Sequence, residues 1–68
     1  MKLVSSSKLK HMKIDAHDVK KEILGKESKD ISKYNIAIDG DGYVVLVPNK
    51  PGSLPNVHSG QLLTDFIN

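Results

Sequence analysis

Residues 34–47, Tyr34-Asn35-Ile36-Ala37-Ile38-Asp39-Gly40-Asp41-Gly42-Tyr43-Val44-Val45-Leu46-Val47, decide the fold. Tyr34, Ile36 and Ile38 alternate with Asn35, Ala37 and Asp39, the period of a strand with one buried face. Asp39-Gly40-Asp41-Gly42 then offers glycines for positive φ and aspartates that bond their own backbone, the chemistry of a tight turn. Tyr43 to Val47 is β-branched and apolar on both faces. That pattern marks a central strand, covered by a helix on one side and partly covered on the other. Pro48 ends it. The segment predicts a β-hairpin over 34–47.

An isolated hairpin is marginal in water, so the flanking sequence must cover it. Upstream, Asp15 is a good N-cap and Asp18 three residues later makes a capping-box-like pair. Ile14 and Val19 fit a hydrophobic staple, Ala16, Val19 and Ile23 form one apolar stripe beside Leu24, and Gly25 suits a C-terminal cap. The spacing predicts a helix over 16–24 within residues 14–25, too short to stand alone and therefore packed on the sheet. Ser5 to Ser7 can cap one further turn over Lys8 to Met12. Residues 26–33 are polar and read as a loop.

Downstream, residues 48–60 hold all three prolines and read as one thirteen-residue loop. Long ordered loops in small domains tend to carry function. Residues 61–68 place Leu62, Leu63, Phe66 and Ile67 at helical spacing, yet Gln61 to Leu63 also suits a third strand, which the small sheet favours. The fold class is α+β: one or two short N-terminal helices on a small antiparallel β-sheet, in a single domain spanning 1–68.

The 68 residues include ten Lys, no Arg, eight acids, three His and no Cys. Disulfides and thiolate metal sites are thereby excluded, and the chain is shorter than a dinucleotide-binding half. No apolar run reaches membrane-spanning length, and the start does not read as a secretory leader. Residues 1–33 carry nine Lys against five acids, a balance of +4, whereas residues 34–68 carry one Lys against three Asp, a balance of −2. The basic N-terminal segment 1–13 has Lys2, Lys8, Lys10 and Lys13 and no acid. Such asymmetry suits a polyanion partner or a solvated lysine-rich face.

His17 falls at the second helical position, with Lys20 and Lys21 three and four residues on and so on one surface. An imidazole moves protons near neutral pH, and an ammonium neutralises the charge that grows on a phosphate in the transition state. His58 and Ser59 close the long loop. With His17 and Lys20 they complete a set of proton acceptor, proton donor, phosphate clamp and hydroxyl. That set suffices for RNA cleavage by attack of the ribose 2′-hydroxyl on its own phosphate. Lys13, Lys21 and Lys50 are candidate substrate-binding cations. The alternative for each is a solvated surface residue.

No cofactor and no metal is expected. Asp39-Gly40-Asp41 opens like a calcium loop, but Tyr43 and Lys50 stand where oxygen ligands are needed. The histidines lack the i, i+4 spacing of a helical zinc site.

The stretch Ile14-Asp15-Ala16-His17-Asp18-Val19-Lys20, with Lys33-Tyr34-Asn35-Ile36, Asp39, Asp41-Gly42, Val45, Lys50 to Gly52, Pro55 and Ser59-Gly60, resembles the C-terminal toxin domains of bacterial polymorphic toxins of the contact-dependent inhibition and Rhs kinds, closest to type 33. The likeness covers about residues 14–65. It implies a ribonuclease of the helix-plus-sheet kind grouped with barnase, EndoU, colicin and RelE. It also implies a parent delivery protein, secretion as part of that larger toxin, action on tRNA or rRNA in the target-cell cytoplasm, and a cognate immunity protein. The match carries over His17 and, after it, Lys20. Ser59-Gly60 stands where relatives have Thr-Gly, and Lys50-Pro51-Gly52 is less glycine-rich than the family's usual loop. Two readings follow, an endoribonuclease toxin domain and a non-enzymatic module that binds RNA or protein. The scarcity of aromatics and the missing Arg count against sequence-specific reading of nucleic acid.

Overall fold

Asp39 sets the turn on which the sheet is built. Its carboxylate Oδ1 accepts the backbone N–H of Asp41 at 2.9 Å and of Tyr43 at 3.0 Å, and Gly42 takes φ +90°. The computed structural model describes residues 1–67 and is α+β. In chain order it has β1 (Lys2–Leu3), α1 (Ser6–His11), α2 (Ala16–Leu24), β2 (Tyr34–Ile38), β3 (Tyr43–Pro48) and β4 (Val57–Leu62), with 3₁₀ turns at Ile31–Lys33 and Leu63–Phe66. The strands form one antiparallel sheet in the order β1-β2-β3-β4. The hairpin pairs Tyr34 with Pro48, Ile36 with Leu46 and Ile38 with Val44, one residue longer than expected. Pro48 is tolerated because it is the last residue of its strand.

The even-numbered residues of this hairpin face the helices. Ile36, Val44 and Leu46 pack with Leu9, Ile14 and Val19, joined by Ala16, Ile23, Ile38 and Val57. Leu46, Val44 and Val19 are among the largest fully buried side chains, so α2 docks where the stripe of apolar residues indicated. Its N-cap Asp15 takes the N–H groups of His17 and Asp18 on Oδ1, and Gly25 ends it at φ +97°. The first helix is longer than the expected single turn. Ser5 Oγ accepts the Lys8 N–H at 3.1 Å at its start. At its end the Lys13 N–H donates to Lys10 at 3.0 Å and the Ile14 N–H reaches back to Leu9 at 2.8 Å. These two bonds make a Schellman motif, sealed by the buried pair Leu9 and Ile14.

Three expectations need correction. The first is β1, which was not expected at all. Two residues are too few to show a period; β1 is held by backbone pairing of Lys2 with Ile38 and Leu3 with Ala37. The second is the 48–60 loop, which ends at residue 56 because β4 already begins at Val57 rather than at Gln61. Between the pairs Val45–His58 and Tyr43–Leu62 the register shifts, and Gly60 sits at φ +71°. This β-bulge breaks the alternation that would have revealed the strand. The third is the terminal segment: after β4 the chain turns into a 3₁₀ turn, Leu63–Phe66, whose Leu63 is buried. Asn68, the last residue of that segment, lies outside the described residues.

The shortened loop is pinned. Tyr34 OH donates to the Pro55 carbonyl at 2.8 Å, Asn49 Nδ2 to Ser32 O at 2.8 Å and Ser53 Oγ to Lys50 O at 2.6 Å. Among the described residues no helix is long and apolar enough to cross a membrane.

Candidate functional site

The Schellman turn brings the end of α1 against the start of α2, and a groove of about 620 Å³ opens between them. His17 lines it, together with Ser6, Lys10, Lys13, Asp15 and Ala16. The imidazole is exposed, while the His17 backbone is tied to Asp15 by its N–H at 2.9 Å. The capping bond therefore fixes where His17 leaves the helix, and the ring remains open to a ligand. Two lysines, Lys10 of α1 and Lys13 of its C-terminal turn, line the groove together with His17. The Asp15 carboxylate at its rim already accepts the N–H groups of His17 and Asp18. The chemistry available is proton transfer at His17 beside charge neutralisation by lysine.

Lys13 is thus brought to His17, as the basic N-terminal segment allowed. Lys10 was not singled out; its signal was its place in the acid-free run 1–13. Lys20 and Lys21 are half-buried on the following turn of α2. Lys21 lines a different hollow, with Asp18, Glu22 and Lys26, where two carboxylates offset it. The cations that complete the groove come from α1 and its C-terminal turn, not from the next turn of α2.

His58 is not brought to His17. One row crosses all four strands, Leu3 beside Ala37, Ala37 beside Val45 and Val45 beside His58. Cross-strand partners share a face. His58 therefore projects from the face opposite Ile36, Val44 and Leu46, on which the helices pack. The expected His17–Lys20–His58–Ser59 set is accordingly not a single site. Ser59 belongs to the bulge: its Oγ donates to the Val44 carbonyl at 2.8 Å and accepts the Gln61 N–H at 3.0 Å. A hydroxyl held on both sides by backbone is a structural group here.

Lys50 stands on the pinned loop and lines a hollow of about 360 Å³ with Ser32, Lys33, Asn49 and Ser53. Lys33 there pairs with Asp30 at 3.4 Å, the lysine exposed and the aspartate half-buried. This hollow is separate from the His17 groove. Among the described residues no charged or polar side chain is buried, and no three His, Asp or Glu gather as a metal-binding group. Comparison with protein-family models, with curated proteins and with solved structures gives no match to this chain.

Proposed function

We propose that the chain is an endoribonuclease domain acting through the groove between α1 and α2. The observation that supports this most is the meeting of an exposed imidazole, His17, with Lys10 and Lys13 in one groove. In this reading a lysine holds the scissile phosphate, and His17 takes the proton of the ribose 2′-hydroxyl. The 2′-oxygen bonds to phosphorus, the bond to the 5′-oxygen breaks, and water protonates the departing alkoxide. The products are a 2′,3′-cyclic phosphate and a 5′-hydroxyl. A single general base of this kind supplies about 10²–10⁴-fold. His58 has no part in it.

The same proposal makes this an antibacterial toxin activity, supported by the resemblance of residues 14–65 to polymorphic-toxin domains. On that reading the domain is carried by a larger secreted protein, cuts tRNA or rRNA in the target cell, and is held inactive at home by an immunity protein. Kinship with the barnase, EndoU, colicin and RelE ribonucleases belongs to the same proposal. The lysine-rich groove also suits a second reading, RNA binding without cleavage. Incubation of the protein with total RNA in EDTA separates the two. Discrete products with cyclic-phosphate ends support the nuclease; retarded but intact RNA supports the binder and removes the enzyme.

A further inference from the structure

Five described residues have left-handed backbone, and four of them are glycines: Gly25, Gly42, Gly52 and Gly60. The fifth is Lys13, at φ +61°. It occupies the position of the Schellman motif that glycine normally fills, because a Cβ there crowds the following carbonyl. The chain has therefore met a positive φ with glycine at four places and with a long cation at one. That one place lines the groove beside His17. Nothing in the fold uses the side chain: Lys13 is exposed, and the motif's bonds come from its backbone and from Ile14. Strain of this kind persists where the side chain has a use.

We infer that Lys13 is the phosphate-anchoring residue of the groove, kept in a conformation that favours glycine because its ammonium holds a phosphodiester next to His17. The inference rests on the ribonuclease reading for the identity of the polyanion, but the phosphate site stands or falls separately. In this view Lys10 supplements the field and Lys13 sets the register of the strand against the imidazole.

Three variants test it, Lys13→Gly, Lys13→Asn and Lys13→Arg, by thermal unfolding and by anisotropy titration of a 2′-O-methyl oligouridylate, which binds without being cut. Lys13→Gly is expected to raise Tm by about 4 °C, since it relieves the left-handed strain. The same variant is expected to weaken binding about fivefold at low salt and to flatten the slope of log K against log salt by about 0.7, one phosphate contact on a single strand. Lys13→Asn should weaken binding likewise, and Lys13→Arg should keep the wild-type slope. A Lys13→Gly protein that is more stable yet binds with unchanged affinity and slope overturns the inference. Inorganic pyrophosphate, followed by the amide resonances of Lys13 and His17, separates the two levels. Pyrophosphate binding that is lost in Lys13→Gly, without oligonucleotide binding by the wild type, upholds the phosphate site and removes RNA as its ligand. A wild type that binds neither probe overturns the anchor, and the cleavage assay then judges the ribonuclease reading alone.

Discussion

His17 and His58 lie on opposite sides of the β-sheet, one at the start of the helix packed on the Ile36–Leu46 face and the other in register with Val45 on the reverse face. An acid–base pair spanning a sheet cannot share one phosphate. His17→Ala is therefore expected to lower RNA cleavage about 100-fold or more while leaving the far-UV circular dichroism unchanged. His58→Ala is expected to cut at the wild-type rate. Equal loss in both variants would show that the two rings act together after all.

Ser59 gives a second separation of roles. Ser59→Ala removes the hydroxyl that bridges the Val44 carbonyl and the Gln61 N–H, so it should destabilise the fold by about 1 kcal/mol. Activity per folded molecule should not change. Urea unfolding and cleavage assays run on the same preparation check both halves.

Asp15 couples stability to the groove. Asp15→Ala deletes the acceptor of two N–H groups at the start of α2 and is expected to cost about 1 kcal/mol. For a domain of this size that lowers Tm by about 4–8 °C. Asp15→Asn keeps an acceptor oxygen and should hold most of the stability. Differential scanning calorimetry of the two variants distinguishes the lost cap from the lost charge.

Leu46 is 0 % exposed at the centre of the sheet. Leu46→Ala is expected to cost about 2–5 kcal/mol. A domain of 68 residues has roughly 3–10 kcal/mol in all, so the variant should be partly unfolded at 37 °C. Chemical denaturation at two temperatures measures this directly.

The parts of the fold that could be read from the chain are those whose local signals agree. Asp39 to Gly42 names a turn, the even residues on either side of it name a buried face, and Asp15 with Val19 names a helix that fits that face. Strand β4 was obscured because the Gly60 bulge breaks its period of two, and β1 because Lys2-Leu3 has no period to show. At the site, His17 was legible from residue type and its place on the helix. Of its neighbours Lys13 was legible as a cation of the basic segment, but its meeting with Lys10 and His17 in one groove was not, since that depends on Lys13 adopting a left-handed turn that lysine rarely signals. The mistaken partner His58 has a physical cause as well: sequence places it beside a loop, whereas strand pairing decides which side of the sheet it faces.

The two outer strands have a further consequence, for behaviour in concentrated solution. An open sheet invites other chains to extend it through unpaired N–H and C=O groups. Among the described residues β1 pairs over two positions, one of them Lys2, and β4 on the other border is broken midway by the bulge at Ser59 and Gly60. Neither rim presents a long, flat template. A meander with its most apolar strand, β3, in the interior and both borders blunted in this way is built to resist edge-to-edge aggregation.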